Sequence, residues 1–234
     1  MKVCRYLSLI TIFLSFIFSN SAFSDENQNG KKYNYHAQLN HSLFQGGKSE
    51  WADSGTTSDD YVKIDSSKLD GFTGLSVQFG IKTLTNWEIS IRQLFKSDTY
   101  WNTGRVEQRD GTDEVRIKAL TQVEDTSLKI AKLFDINDSW VAYPFLAVGK
   151  SKVKIKGFEY THTGTAVPIS NSETNNSIHY GAGLLRNLKK NLDLIVEIEK
   201  SDFGKARLLE FNGTKTVSYE VNQLRLNVGL RYNF

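Results

Sequence analysis

Strict alternation of apolar and polar residues is the feature that most constrains the fold of this chain. Its last twelve residues, QLRLNVGLRYNF (223–234), set one row of apolar side chains against one row of polar or small ones. A period of two residues over this length predicts a β-strand with one apolar and one polar face. Terminal residues of soluble domains are usually polar and fray. An aromatic at Phe234 therefore predicts a strand that is held in place to its end.

The same alternation recurs along the chain. The predicted strands cover residues 33–44, 72–82, 87 to about 107, 114–134, 140–156, 178–185, 192–200 and 223–234. Short gaps (83–86, 135–139 and 187–191) alternate with long polar gaps (45–71, 157–176 and 201–216) and with a hairpin around Asp110-Gly111 that protrudes over 97–113. Tight turns at one rim and long loops at the other are typical of an up-and-down barrel. The sequence predicts an all-β fold, an eight-stranded antiparallel barrel.

Two strands carry further detail. In 114–134 the apolar parity changes between Ile117 and Leu128, which predicts a bulge near residues 123–126. A separate hairpin there is the alternative, and it would give an odd number of strands. In 140–156 one predicted face is apolar and the other basic. The apolar face comprises Val141, Tyr143, Phe145, Ala147, Val153 and Ile155, and the basic face comprises Lys150, Lys152, Lys154 and Lys156.

The direction of the apolar faces separates two classes of barrel. A soluble ligand-binding barrel turns them inward, and an outer-membrane barrel turns them toward lipid. Ionisable residues of both signs lie in the polar rows, where a narrow lumen would let them pair: Glu88, Arg92, Asp193, Glu197, Glu199, Arg225 and Arg231. We expect Arg225 and Arg231 to pair with Glu88, Glu197 or Glu199. Aromatic residues cluster near the short turns, as in an interfacial girdle: Tyr33, Tyr35, Trp87, Phe134, Trp140, Tyr143, Tyr232 and Phe234. Both features favour the membrane.

The N-terminus predicts export. Lys2 and Arg5 precede an apolar run over 7–18, and small residues follow at 19–24, so residues 1–24 are predicted to be a signal peptide cleaved before Asp25. Residues 25–234 would form the barrel domain. The mature chain would hold 27 of the 29 basic residues against 26 acidic ones, a balance that argues against nucleic-acid binding. The only cysteine, Cys4, lies in the signal, which excludes disulfides and cysteine-based metal sites from the mature chain.

The chain resembles the small outer-membrane barrels of the OmpA transmembrane-domain and OmpX/Ail type. The residues that carry the resemblance are the terminal LRLNVGLRYNF (224–234), YPFLAVGKS (143–151) and YGAGLLRNLKKNLDLIVEIE (180–199). It implies that the terminal strand ending on Phe234 is recognised by the barrel-assembly machinery. It also implies a bacterial outer-membrane location, with lipid and lipopolysaccharide as neighbours.

No catalytic, cofactor or metal site is predicted. The lysine row 150–156 is expected to be the solvated part of a strand above the bilayer, with binding of polyanions as the alternative. The histidines His36, His41, His162 and His179 form no HxH or HxxxH pair, and no His-x-Ser motif of a lipid A deacylase is present. His41 and Ser42 are adjacent and so belong to opposite faces of a strand.

The function predicted from these features is display of four extracellular loops, with a structural, adhesive or surface-recognition role and a possible host or surface ligand at the loops. The protein is not predicted to be an enzyme. A lipid A-modifying enzyme and a small porin-like channel are the alternatives.

Overall fold

A computed structural model describes residues 33–45, 48–52, 63–64, 70–102, 106–107, 114–160, 165–209 and 216–234. This part of the chain contains eight long strands: β1 (Tyr33–Gln45), β2 (Asp70–Thr83), β3 (Trp87–Asn102), β4 (Glu114–Lys132), β5 (Trp140–Tyr160), β6 (Ala166–Lys189), β7 (Leu192–Leu209) and β8 (Thr216–Asn233). No helix within these ranges is long and apolar enough to cross a membrane. The predicted signal peptide (1–24) and the Asp110-Gly111 turn lie outside the described residues.

The strands pair in chain order, and the last strand closes on the first. Every neighbouring pair is antiparallel, and β8 pairs with β1 from Leu224 opposite Gln45 to Asn233 opposite His36. Short strands extend this wall: Lys48–Ala52 beside β8, Lys63–Ile64 with Val106–Glu107, and Phe134–Asn137 beside the start of β5. Closure satisfies the backbone hydrogen bonds within the wall, as a membrane requires. The predicted eight-stranded antiparallel barrel is confirmed.

The stagger of the strands fixes their tilt. A row of paired residues that starts at Lys150 on β5 passes around all eight strands and returns to β5 at Trp140. A shift of ten residues over eight strands tilts each strand by roughly 40° from the barrel axis. Each residue then rises about 2.5 Å along the axis. About ten residues of each strand therefore cross the apolar layer of a membrane.

All the described short connections lie at one rim. The start of β1 and the end of β8 meet at the same rim. Asn86, with φ 60°, closes the 84–86 turn through a hydrogen bond from its N–H to the Thr83 carbonyl (3.1 Å). At the C-terminus the Phe234 N–H donates to the Tyr35 carbonyl at 2.9 Å. The predicted closure of the last strand against the first is thereby confirmed.

The predicted bulge at residues 123–126 is wrong. β4 pairs with β5 without interruption from Arg116 to Ala131. The extra residue lies on the neighbouring strand β3, where the register shifts between Leu94 and Ser97. From Val123 to Lys129 the inward parity of β4 is unchanged, because Val123, Asp125, Ser127 and Lys129 all face inward. The change in apolar parity along the sequence of β4 is therefore not a bulge. It marks the point at which the apolar residues move from one wall of the barrel, inner or outer, to the other.

The polar segments predicted as loops at 157–176 and 201–216 are largely strand. β5 continues to Tyr160, β6 begins at Ala166, and the two pair from Ala166 opposite Tyr160 onward. β7 likewise continues to Leu209. These segments lack a lipid-facing apolar row, so their sequence lost the alternation that marks the rest of each strand.

Candidate functional site

The outer wall of the short-turn half is an apolar belt. Its exposed side chains include Phe79, Ile89, Ile91, Leu128, Ile130, Leu146, Val148, Ile178, Tyr180, Leu184, Ile198, Leu224, Leu226, Val228 and Leu230. On β5 the belt runs from Trp140 to Val148, nine residues, which matches the length needed to cross a membrane. At its lower edge Tyr35, Trp87 and Phe134 are each about half exposed, in the place predicted for the aromatic girdle.

One predicted face of β5 is corrected. Tyr143, Phe145 and Ala147 are almost fully buried inside the barrel, and it is Leu146 and Val148 that face outward. Tyr143 therefore does not belong to the girdle. Val153 and Ile155 are buried on the same inner face.

Glycines on the neighbouring strand make this arrangement possible. A Cβ atom at Gly183 would lie 2.4 Å from the Tyr143 ring, and one at Gly181 would lie 2.9 Å from the Phe145 ring. The inward glycines of β6 thus provide the space that the two β5 rings occupy. They are the one sequence signal that could have predicted the inward rings, since β5 is apolar on both faces in this stretch.

Glu199 is the centre of a buried network in the lumen. Its carboxylate accepts hydrogen bonds from Arg92 Nη1 (2.7 Å), Arg225 Nη1 (3.1 Å) and Ser201 Oγ (2.7 Å). His179 Nδ1 lies 3.1 Å from the same carboxylate. All five side chains are at most 1% exposed. One carboxylate thus joins strands β3, β6, β7 and β8 across the lumen.

A second group surrounds Glu197, two residues below on the same inner row. Lys129 forms an ion pair with it, Tyr143 Oη donates to it at 2.7 Å, and Asn227 Nδ2 donates at 3.2 Å. Asn227 also donates to Glu199 at 2.9 Å, which links the two groups. The Lys129 ammonium lies 4.1 Å from the centre of the Phe145 ring, a cation–π distance.

The third group lies nearest the short turns. Arg231 donates two hydrogen bonds to Glu88, at 2.8 and 2.9 Å, and a third to Gln38 Oε1 at 3.1 Å. His36 Nε2 lies 3.4 Å from the same glutamate. The prediction that Arg225 and Arg231 pair with glutamates of the polar rows is confirmed. The Arg92 and Lys129 pairs were not foreseen, because the sequence does not show which rows meet across the lumen.

The network fills the lumen. Arg92, Arg225, Lys129, His179 and Gln38 are each less than 2% exposed to water. Side chains that line an open channel keep contact with water, so at this level the interior is packed. A cluster of Ala131, Leu133, Tyr143, Phe145, Leu185 and Ile195 packs the part of the lumen near the short turns.

Above the network the interior is mixed, and a group of apolar side chains is buried beside polar ones such as Thr121 and Gln223. Leu94, Val123, Val153, Ile155, Phe203, Ala206 and Val221 are all at most 1% exposed. Gly204, with φ +80°, occupies a bulge in β7 that keeps both Phe203 and Ala206 on the inner side. The Phe203 ring meets the His179 ring edge to face, 5.2 Å between centroids, where the two layers join. On the outer side of the same level Lys152, Lys156, Asp202 and Lys205 are exposed.

The lysine row of β5 forms a strip on this outer wall. Lys150 lies directly above Val148, and Lys152, Lys154 and Lys156 follow on the same face. Lys150 Nζ donates to Asn176 Oδ1 (2.5 Å), and Lys154 Nζ lies 3.2 Å from Glu124 Oε1. The row lies on the outer wall beyond the apolar belt, and Lys150, Lys152 and Lys156 are exposed there. We call residues Lys150, Lys152, Lys154 and Lys156 the lysine strip.

The histidines occupy unrelated places. His36 and His179 are buried in the lumen, and His41 is exposed on the outer wall between Leu39 and Leu43. Ser42 faces the lumen and accepts a hydrogen bond from Arg225 Nη2 at 2.9 Å, so His41 and Ser42 lie on opposite faces as predicted. His162 lies outside the described residues. Among the described side chains no group of three or more His, Cys, Asp or Glu is arranged to hold a metal ion.

A closed barrel with an apolar outer belt and a polar, paired lumen defines an integral outer-membrane β-barrel. Residues 10–234 match the family described as outer membrane protein beta-barrel domain, and the chain belongs to this family. Its members are proteins of the bacterial outer membrane. No curated protein matches the chain in sequence.

Solved structures of outer-membrane proteins align with this chain at low sequence identity. The outer membrane protease OmpT of Escherichia coli aligns with a TM-score of 0.50 and 9% identity, over 89% of this chain and 99% of that one. Ail, the attachment invasion locus protein of Yersinia pestis, was solved with the heparin analogue sucrose octasulfate. It aligns at 17% identity over 86% of this chain and 100% of that one, with a TM-score of 0.41. Neisserial surface protein A aligns at 12% identity over 87% and 98%, with a TM-score of 0.39.

Proposed function

We propose that this protein is a surface-display barrel, in which a packed membrane section supports four extracellular hairpins that bind a ligand at the cell surface. The observation that carries the proposal is the group of apolar side chains buried above the lumen network. Strands β5 and β6 continue well beyond the nine or so residues needed to cross the membrane, to Tyr160 and from Ala166. Their own core, including Val153 and Ile155, holds them upright as a rigid support for the loops.

Adhesion of cells that carry the protein tests this role. The variant would replace the tip of the β5–β6 hairpin, residues 158–168, with a two-residue Asn-Gly turn between the paired Gly157 and Ile169, which leaves the lower hairpin pairing in place. Cells with the unaltered protein are expected to bind cultured epithelial cells or a glycan array above the empty-vector level, and the shortened variant to lose that binding. Surface labelling and a heat-modifiability gel control for display and folding. Equal binding by cells with and without the protein would contradict the proposal.

We also propose that the barrel neither conducts nor catalyses. The packed lumen supports the first part, because Arg92, Lys129 and Arg225 are each at most 1% exposed at their level. Planar-bilayer recording is expected to show no conductance above background. For the second part, the separation of His41 from Ser42 by the barrel wall argues against a lipid A deacylase that would use this pair. Mass spectrometry of lipid A from cells with and without the protein is expected to show the same acyl pattern.

Export and assembly complete the proposal. Cleavage before Asp25 would give a mature N-terminus that Edman sequencing of the outer-membrane fraction detects. Phe234 would serve as the recognition signal for the barrel-assembly machinery. Its ring packs on Tyr232 at 5.1 Å between centroids, and its N–H is tied to β1. Phe234→Ala removes the ring and should therefore lower the amount of assembled protein in cells. The variant keeps the N–H that bonds to β1, so refolding in detergent should stay near normal.

A further inference from the structure

The outer row of β6 reaches an arginine at the short-turn side of the barrel. Ile178, Tyr180 and Leu184 are exposed along this row, and Arg186 is the next outward residue after Leu184. From Ile178 to Arg186 the strand descends about 20 Å along the axis, at about 2.5 Å for each residue. The apolar band of an outer-membrane barrel is about 25 Å tall. Arg186 therefore lies at the lower edge of the belt, at the depth of the lipid headgroups.

Positive charge is concentrated around Arg186. The turn that follows, residues 187–191, adds the exposed side chains of Lys189 and Lys190, and Leu188 beside them is 46% exposed. The guanidinium carbon of Arg186 lies 5.3 Å from the centre of the Trp140 ring, on the paired strand β5. A tryptophan at this depth is typical of a membrane–water interface. We call Arg186, Lys189, Lys190, Trp140 and Leu188 the rim cluster.

The three cations of the rim cluster make no ion pair within the described part of the chain. The adjacent turn contributes Asp135 and Asp138, and of these Asp135 accepts a hydrogen bond from Asn86 Nδ2 at 3.4 Å. Beyond the cluster, Asp193 is turned inward and accepts a hydrogen bond from Asn233 Nδ2 at 2.8 Å. The positive charge of the rim cluster is therefore available to an anion from outside the chain.

The other described short turns differ from 187–191 in charge. Lys132 also lies over a tryptophan, 5.3 Å from the centre of the Trp87 ring, but its ammonium donates to the Thr85 carbonyl at 2.6 Å. This lysine is thus held by the protein itself. Each described short turn presents an exposed aliphatic side chain: Leu84, Ile136 or Leu188. Among these turns only 187–191 adds lysines of its own.

The apolar side chains around Arg186 select the kind of ligand. Leu184 lies above Arg186 on the same outer row, and Leu188 lies below it. A molecule that covers this row must join an apolar tail to an anionic head. A soluble anion would meet only the charged side chains.

We propose that the rim cluster binds an anionic glycerophospholipid of the leaflet that meets the short turns. Arg186 pairs with the phosphodiester, because the planar guanidinium fork matches two phosphate oxygens. Lys189 and Lys190 attract the net negative charge of the headgroup and repel the ammonium group of a zwitterionic one. The acyl chains lie along Leu184 and Tyr180. In the orientation proposed above, this leaflet faces the periplasm, so the binding is separate from that of a ligand at the extracellular hairpins.

The test titrates phosphatidylglycerol into the full-length protein refolded in nanodiscs of phosphatidylcholine and counts the bound lipid by native mass spectrometry. The variant R186Q/K189Q/K190Q removes the three charges of the rim cluster. K152Q/K156Q/K205Q removes three exposed charges from the projecting half and is the matched control. The rim variant is expected to bind phosphatidylglycerol about 100-fold more weakly, with about 1 kcal/mol for each charge. The control variant is expected to stay within about threefold of the unaltered protein, because salt screens charges that lie far from the lower headgroups.

Two further arms identify what is recognised. Phosphatidylethanolamine with the same acyl chains is expected to bind equally weakly to the unaltered protein and to the rim variant. Glycerol 3-phosphate has the phosphate without acyl chains and is expected not to compete. Equal binding by both triple variants, equal binding of the two lipids by the unaltered protein, or displacement by glycerol 3-phosphate would each overturn the proposal.

A heat-modifiability gel of every variant excludes misfolding as the cause. The single variant R186Q repeats the test with a smaller change and is expected to weaken phosphatidylglycerol binding about fivefold. Unchanged binding by R186Q would overturn the role of the arginine as the phosphate partner.

Discussion

The eight strands of this barrel form two halves with opposite polarity. The membrane half lies beside the short turns, and the projecting half begins above Val148. In the membrane half the outer wall is apolar, with Leu146 and Ile198 exposed, and the inner wall carries Arg92, Glu197 and Glu199. In the projecting half the outer wall carries the lysine strip, and the inner wall carries Val153, Ile155 and Phe203. The pairing of β4 with β5 passes through the boundary between the halves without interruption.

The difference shows that the surroundings decide which wall is apolar. Lipid surrounds the lower half, so apolar residues cost nothing outside and polar residues must pair with one another inside. Water surrounds the upper half, so the hydrophobic effect places apolar residues inside, as in a soluble barrel. Stability therefore depends on paired charges, together with the apolar cluster near the short turns, in the membrane half, and mainly on apolar packing in the projecting half. The following substitutions test that division.

The largest effect is expected for Glu199→Ala. The change leaves the guanidinium groups of Arg92 and Arg225 buried without their shared carboxylate, which is expected to lower the free energy of unfolding by about 3–5 kcal/mol. Denaturant titration in lipid vesicles measures this. Lys200→Ala, an exposed neighbour on the same strand, should change stability by less than about 0.5 kcal/mol. A loss below about 1 kcal/mol for Glu199→Ala would contradict the central role of this carboxylate.

Phe203→Ala is expected to act on the projecting half. Loss of a fully buried ring costs about 3 kcal/mol in a packed apolar interior. Hydrogen exchange should show reduced amide protection in β5–β7 above the lumen network and unchanged protection in the membrane half. Lys205→Ala, exposed on the same strand, is the matched control. Equal loss of protection in both halves would mean that they do not unfold separately.

Leu146→Arg and Thr174→Arg compare the two outer walls. Leu146 is 55% exposed within the apolar belt, so a charge there should destabilise the barrel by about 2 kcal/mol. Thr174 is exposed on the projecting wall, where water solvates the new charge, and the change should stay within about 0.5 kcal/mol. Similar values for both variants would place the boundary between lipid and water elsewhere on the wall.

The smallest effect is expected for His41→Leu. His41 is an exposed polar residue between Leu39 and Leu43 on the outer wall, opposite Val228 and Leu75 of the adjacent strands. An apolar side chain suits lipid better at this position, so stability should rise by about 0.5–1 kcal/mol. A fall in stability in the same vesicle titration would show that the imidazole makes a favourable contact in the membrane.

Much of the architecture was predictable because alternation of period two survives wherever lipid and lumen lie on opposite sides of a strand. The rows of β1, β2, β3, β6, β7 and β8 in the membrane half face as predicted. The prediction failed in β5, where Tyr143, Phe145, Leu146 and Val148 make both rows apolar. When both rows are apolar, the alternation does not show which row faces the lumen. In β5 the glycines of β6 determine this, because they leave room for the rings inside the barrel.

The strand segments of the projecting half were missed for a related reason. Their polar outer residues, such as Ser170, Ser172 and Thr174, are typical of loops, and no lipid-facing row accompanies them. Hydrogen bonding to β5 makes this segment a strand, and that pairing depends on a neighbour rather than on local preference. The bulge was likewise placed on β4 although it belongs to β3.

The sequence by itself determined that this chain forms alternating strands, that they number eight, and that charges of both signs face the lumen. Those properties follow from local periodicity and from the sign of each side chain. Only the tertiary structure decided that Glu199 joins Arg92 to Arg225, that Phe145 lies inside, and that the polarity reverses above Val148. These depend on the ten-residue stagger around the barrel, which brings distant strands into register and sets the height at which each residue leaves the lipid.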